Sequence, residues 1–251
     1  MTRSPFLLAL FRLHLRLLFW RKFSAVRLAI NTTPPPYTGR PIVLYTNHPS
    51  WWDPALILLM QPRLLPNRRG FGPMDTTELA RYPILRHMGL FGIEPGTTRG
   101  AAAFLRTART LLAEPDAILG ITAEGAFTDP RLRPITLRPG LAHLARHCPH
   151  AIFLPLALEY SFWNESKPEA LLRFGAPVHP ADPSSTAAWQ TALEAGLTET
   201  MDALAAASAQ REPTLFSELF SGTAGAGIYD LFRRARALAT GRRFTARHEP
   251  R

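Results

Sequence analysis

The chain has a single cysteine, Cys148, so no intramolecular disulfide is available and stability must come from packing. Lysine is scarce: only Lys22 and Lys167 occur among 29 basic residues, and with abundant Ala and Pro this points to compositional bias. No acidic residue precedes Asp53. No apolar run reaches the ~20 residues that a membrane-spanning helix requires, because Arg12 and Arg16 interrupt the Leu- and Phe-rich stretch from Phe6 to Trp20. Arg12 also cuts that stretch short for a cleavable signal, and no small-residue cleavage site follows. A Gly-x-Ser-x-Gly elbow and a Gly-rich phosphate loop are missing, which argues against an ordinary lipase, a nucleotide-binding kinase and a dinucleotide-dependent dehydrogenase. Paired cysteines and a His-Glu-x-x-His pattern are missing too. His143, His147, Cys148 and His150 therefore read as a helix face with a packed thiol, and no metal is expected.

What is present in excess is positive charge. The net charge is +10, and it is unevenly placed. Arg3, Arg12, Arg16, Arg21, Lys22, Arg27 and Arg40 all precede Asp53, while the last twenty residues carry Arg233, Arg234, Arg236, Arg242, Arg243, Arg247 and Arg251 against Glu249 alone. With 251 residues that are 46% hydrophobic, the chain can bury one good core. The expected division is a basic amphipathic arm with a proline-rich linker over 1–36, a catalytic domain over 37–211, and a basic tail with a short helix over 212–251. The linker is Asn31-Thr32-Thr33-Pro34-Pro35-Pro36, a stiff spacer. The arm reads as a helix lying in the membrane interface, leucines and aromatics towards lipid and arginines towards anionic headgroups. The competing reading is a helix packed on the domain with snorkelling arginines. A strongly basic chain would also suit nucleic acid, but these basic residues are interleaved with long aliphatic runs, so the expected partner is a membrane surface with anionic lipids and no nucleic acid.

Between the arms, apolar segments alternate in type. Strand-like runs fall near 41–46, 69–74, 90–94, 117–122, 152–158 and 170–174, and helical ones near 54–60, 76–87, 100–113, 138–147 and 185–208. Such alternation predicts an α/β fold, a mixed and largely parallel sheet covered by helices, with functional groups in loops at strand ends.

The segment Asn47-His48-Pro49-Ser50-Trp51-Trp52-Asp53-Pro54 sits at one such end. Pro49 biases His48 away from helical dihedrals, and Pro54 does the same to Asp53 while suiting a first helical position itself. On one continuous helix, residues five apart point about 140° away from each other. A bend between strand and helix removes that problem. One Asp53 oxygen can then take a helix-terminal N–H, and the other the N–H of His48, whose second nitrogen stays free to accept a proton from a hydroxyl. The plainer alternative makes Asp53 only a helix cap, or a partner of Ser50 in a capping box.

The segment resembles the first motif, Asn-His-x-x-x-x-Asp, of the glycerolipid O-acyltransferases, the family of bacterial 1-acylglycerol-3-phosphate acyltransferase. Three further stretches resemble that family's landmarks in its order. Ile118 to Thr128 keeps an apolar strand and the pair Glu124-Gly125, Leu137 to Ala145 looks like its helix start, and Ile152 to Ala157 like its proline-interrupted strand. Two departures stand out. Where the family places arginines associated with the acceptor's phosphate, this chain has Pro95 after Glu94, and Ala126 and Phe127 after Gly125. Arg99, Arg131, Arg133 and Arg138 lie close enough in sequence to substitute, since a guanidinium pairs with phosphate from several directions.

The resemblance implies an acyltransferase in which His48 is the base and Asp53 its orienting acid, with no acyl-enzyme. Asn47, Glu124, Gly125, Arg99, Arg131 and Arg138 would bind substrate. It implies acyl-CoA or acyl carrier protein as co-substrate, no bound cofactor, a lysophospholipid acceptor such as 1-acylglycerol-3-phosphate, and work at the cytoplasmic face of the cell membrane. Pro95 and Phe127 leave two rivals: a non-phosphate acceptor such as a glycolipid or carotenoid glycoside, and a catalytically silent lipid-binding protein.

Overall fold

The computed structural model describes residues 3–223. An eight-stranded sheet forms its centre, in the order β4-β3-β5-β2-β6-β7-β1-β8. In chain order these strands are β1 (Ala25–Ala29), β2 (Ile42–Thr46), β3 (Arg69–Asp75), β4 (Leu90–Ile93), β5 (Ala117–Thr122), β6 (Ile152–Ser161), β7 (Glu169–Phe174) and β8 (Phe216–Ser221). Five of the seven pairings are parallel; β6 with β7 and β1 with β8 are antiparallel. The fold is thus the mixed, largely parallel α/β arrangement that the alternating pattern predicts.

Helices cover both faces: α1 (Pro5–Lys22), α2 (Asp53–Leu64), α3 (Thr76–Arg81), α4 (Thr98–Leu111), α5 (Gly140–His147) and α6 (Thr186–Gln210). β2 shows why a continuous apolar run is needed in a central strand. Its Val43 and Tyr45 pack with Phe104, Leu144 and Leu197 of α4, α5 and α6, whereas Ile42 and Leu44 pack with Phe19 and Leu56 of α1 and α2. The helix starts follow hydroxyl caps: Ser4 accepts from the Leu7 N–H at 3.3 Å, Thr97 from Gly100 at 2.9 Å, and Ser185 from Ala188 at 3.2 Å.

Several expectations are corrected. β1 falls inside the segment read as arm and linker, and β8 inside the segment read as tail, yet both are strands of the central sheet. Of the tail read over 212–251, with its short helix, the part from 224 onward lies outside the described residues. The helix expected over 76–87 is broken at Tyr82, which is pushed out of helical dihedrals by Pro83, and continues as a 3-10 turn over Pro83–Met88. The proline-rich linker is tied down rather than free: the Arg68 guanidinium donates to the carbonyls of Pro36, Tyr37 and Arg40.

Helix α1 combines features of both readings made for it. Leu8, Leu15 and Phe19 are buried against the domain, while Phe6, Leu10, Leu13, Leu17 and Trp20 are exposed along the opposite side. Arg12 does not point outward; its guanidinium donates to the Leu58 carbonyl at 3.2 Å and to Gln61 Oε1 at 2.7 Å on α2. No helix among the described residues is long and apolar enough to cross a membrane.

Candidate active site

The site is built where β2 and β5 end side by side. The loop after β5 closes onto the bend after β2 through three bonds: Ala123 N–H to the Thr46 carbonyl at 2.8 Å, His48 N–H to Glu124 Oε2 at 2.7 Å, and Thr128 N–H to the His48 carbonyl at 3.0 Å. Both backbone groups of His48 are therefore fixed. The loop can turn this tightly because Gly125 adopts φ +69°, and a Cβ there would lie 2.7 Å from the Arg138 Nε packed over it.

The bend does bring the imidazole to the carboxylate. His48 Nδ1 lies 2.7 Å from Asp53 Oδ2, which also accepts the Ser50 N–H at 3.1 Å. Asp53 Oδ1 accepts the Tyr160 hydroxyl at 2.8 Å. Asp53 is 0% exposed and stands as the first residue of α2, where the positive helix end favours a negative charge. It is not the N-cap: that position is Trp52, without a side-chain cap. An ionised carboxylate only accepts hydrogen bonds, so Nδ1 carries the ring proton and Nε2 keeps a lone pair. The His48 side chain is 15% exposed, and Nε2 has no partner among the described residues. That is the arrangement of a general base open to an incoming hydroxyl.

Aromatic groups frame it. The Phe127 ring lies 4.4 Å from the His48 ring, centroid to centroid, and Phe127 is 62% exposed. Trp51, 68% exposed, meets Trp52 edge-on, and Trp52 in turn packs edge-on against Phe19 and Phe23. Tyr160 was not expected in the site; it extends a strand read as ending at 158, and burial together with the Asp53 charge holds its phenol well above the usual tyrosine range. No local signal in the sequence marks it, since only the pairing of β6 with β2 brings it to Asp53.

The remaining expected residues separate. Asn47 is no substrate ligand: it is 1% exposed, and its side-chain amide donates to the Leu158 carbonyl at 2.9 Å while accepting the Leu158 N–H at 2.8 Å. It clips the bend to β6. Glu124 belongs to the site, and burial raises its carboxyl above the usual range against the opposing pull of the His48 N–H. Glu124 also lines a cleft of about 570 Å³ between the 136–139 segment and α6, together with Arg138, Gln190 and Glu194. Arg131 pairs with Asp129, at 2.9 and 2.6 Å, and Arg133 with Asp202, at 3.0 and 2.5 Å. Arg99 is exposed at the start of α4, after β4, three strands away from β2 in the sheet; at about 4.8 Å per strand this is roughly 14 Å. The histidines near Cys148 serve the backbone instead: His147 Nδ1 meets the His143 carbonyl at 2.7 Å and His150 Nε2 the Leu112 carbonyl at 2.9 Å.

The chain is similar to the crystal structure of the 1-acyl-sn-glycerophosphate (LPA) acyltransferase PlsC from Thermotoga maritima, with a TM-score of 0.54 over 78% of this chain and 79% of that one, at 16% identity. No protein-family model and no curated protein matches the sequence. At that identity, what the two chains share is the fold.

Proposed function

We propose that the protein is a membrane-associated O-acyltransferase that moves a fatty acyl group from an acyl thioester to a hydroxyl of a lipid acceptor. The observation that carries this reading is the His48–Asp53 pair, a ring nitrogen bare at Nε2 and tied at Nδ1 to a fully buried carboxylate. Nε2 takes the proton of the acceptor hydroxyl as its oxygen attacks the thioester carbonyl. The Asp53 charge stabilises the imidazolium that forms. Collapse of the tetrahedral intermediate breaks the carbon–sulfur bond, and the proton on Nε2 goes to the departing thiolate. The nucleophile comes from the substrate, so no serine of the chain is required. Acyl-CoA or acyl carrier protein would bring the acyl group, and with such donors the site would work at the cytoplasmic face of the cell membrane.

The exposed apolar stripe on α1 supports a position at a lipid surface, with anionic lipids as its partner. The resemblance in sequence implies a lysophospholipid such as 1-acylglycerol-3-phosphate as the acceptor. A phenyl ring rather than a guanidinium over His48 favours a second reading, an acceptor without phosphate.

His48→Ala tests the core of the proposal. Thiol release from acyl-CoA that depends on added lipid acceptor should fall by about 10² to 10⁴, the usual contribution of a general base, with the melting temperature retained. Near-normal transfer by a folded variant would remove His48 from the mechanism, and acceptor-independent silence of the native protein would leave only lipid binding.

A further inference from the structure

Resting on the acyltransferase reading, we infer that the acceptor's headgroup is uncharged and rich in hydroxyls, as in a monoacylated glycosyl glycerolipid, and that it sits in the cleft between Glu124 and α6. The cleft holds about 570 Å³, within the span of ordinary small-molecule sites, about 300–1,000 Å³. It adjoins the site through Glu124, which lines it and accepts the His48 backbone N–H through Oε2.

Carboxylates outnumber cations on its walls, Glu124 and Glu194 against Arg138. Glu194 Oε1 accepts from the Leu137 N–H at 3.0 Å and from Gln190 Nε2 at 2.7 Å, and Gln190 Nε2 also donates to the Leu137 carbonyl at 2.9 Å. These bonds use the amide donor of Gln190 and fix both side chains. Left without a partner among the described residues are the acceptors Glu124 Oε1, Glu194 Oε2 and Gln190 Oε1 and, as donor, the Arg138 guanidinium. Thr136 and Thr186 add hydroxyls, and Arg138 is the one cationic side chain on the lining. With two carboxylates and an amide oxygen against one guanidinium, the lining favours a ligand that donates more than it accepts and carries no negative charge. Sugar or polyol hydroxyls do so, whereas a phosphate dianion only accepts and would face two carboxylates across one guanidinium.

The neighbouring cations do not redress this balance. Arg131 is held by Asp129, and Arg133 by Asp202 and by the carbonyls of Pro130 and Leu132 at 2.9 and 2.7 Å. On the side of the base itself, the exposed Phe127 ring offers an apolar face and no hydrogen-bond donor to an anion. Glu194 is thus a specificity-determining residue: it admits hydroxyl donors and repels a phosphate.

The experiment compares lysophosphatidic acid with a glucosyl monoacylglycerol of the same acyl chain, in mixed micelles, with labelled acyl-CoA and the full-length protein. The expected result is a kcat/KM at least tenfold higher for the glucosyl lipid. Glu194→Gln keeps the Oε1 acceptor for Leu137 and removes the charge, so it should melt like the native protein and narrow that ratio at least threefold, with the KM for acyl-CoA unchanged. Equal or preferred use of lysophosphatidic acid overturns the headgroup assignment and leaves the acyltransferase reading intact. An unchanged ratio in folded Glu194→Gln overturns the cleft as its seat. Transfer to neither acceptor, nor to any other lipid hydroxyl tried, overturns the acyltransferase reading and this inference with it.

Discussion

A buried carboxylate is tolerable only when its lone pairs are satisfied, and Asp53 meets that condition with three donors, two from its own bend and one from the end of β6. Tyr160 is the one of the three that a single atom can delete. Tyr160→Phe leaves the ring in place but strips Asp53 Oδ1 of its donor, so the carboxylate is free to rotate and the imidazole with it. A hydrogen bond to a charged group contributes about 1.5–3 kcal/mol, and a loss of kcat/KM on the order of 10- to 100-fold is expected, with the KM for acyl-CoA unchanged, in steady-state assays. Unaltered kcat in the variant would mean that Tyr160 only packs. Glu124 gives a different signature. Its carboxyl is raised by burial, so between its unfolded and folded pKa the native state binds more protons than the unfolded one. Stability from this group therefore falls as pH rises through that window, and the full penalty persists above it. Glu124→Gln keeps an acceptor for the His48 N–H without the charge. Its melting temperature should gain on the native protein as pH rises from about 4 to 8, and parallel melting curves across that range would contradict the sign. The pair His48 and Asp53 was legible in the sequence because both partners lie within one bend. Tyr160 was not, since it joins Asp53 from 107 residues away and only the pairing of β6 with β2 brings it there.

At the level of elements, the apolar strands β2 and β5 announce themselves and the charge-bearing strand β1 does not, although it too lies inside the sheet, between β7 and β8. β2 and β5 are uninterrupted apolar runs, and both lie within the ranges that their sequences predict. β1 carries Arg27 in the middle of five residues and follows a basic helix, so by charge it reads as more of the arm. The sheet accepts that arginine because Glu169 on β7 and Glu218 on β8 flank it, at 2.9 and 3.3 Å. Neither partner can be inferred from the local pattern. Asn47 makes the complementary point: its type suggests a ligand in a motif, and its surroundings make it a clip between two strands. Removing Arg27 tests whether β1 is integral to the sheet. Arg27→Ala leaves the buried Glu169 without its guanidinium partner, and breaking a buried pair from one side costs about 3–5 kcal/mol. Denaturant unfolding should show that loss as a lower midpoint with an unchanged slope. A variant as stable as the native protein would mean that β1 adds little to the sheet.

Across the whole molecule, exposed bulky apolar side chains are not scattered. Phe6, Leu10, Leu13, Leu17 and Trp20 recur at spacings of three and four along α1, which is one side of a helix. Trp51, Phe127 and Phe162, also exposed, stand in the loops that follow β2, β5 and β6, and Phe127 lies against His48. Phe19 and Phe23, on the buried side at the end of α1, touch Trp52 in the bend between His48 and Asp53, so the helix that carries the stripe is anchored beside the site. A soluble acceptor would give no reason for such a surface, whereas a lipid acceptor would enter through it. The buried half of α1 holds the helix on the domain independently of the stripe, so Leu13→Glu with Leu17→Glu changes only exposed positions and should leave melting within the small range of surface substitutions. Each leucine contributes about 1.5–3 kcal/mol when buried in an apolar phase. The double variant should therefore bind vesicles containing anionic lipid at least about 100-fold more weakly in sedimentation. It should also lose activity on micellar acceptor through KM rather than through the chemical step. Equal vesicle binding by native protein and variant would show that α1 does not meet the bilayer, and the route of the acceptor to His48 would then have to run through water.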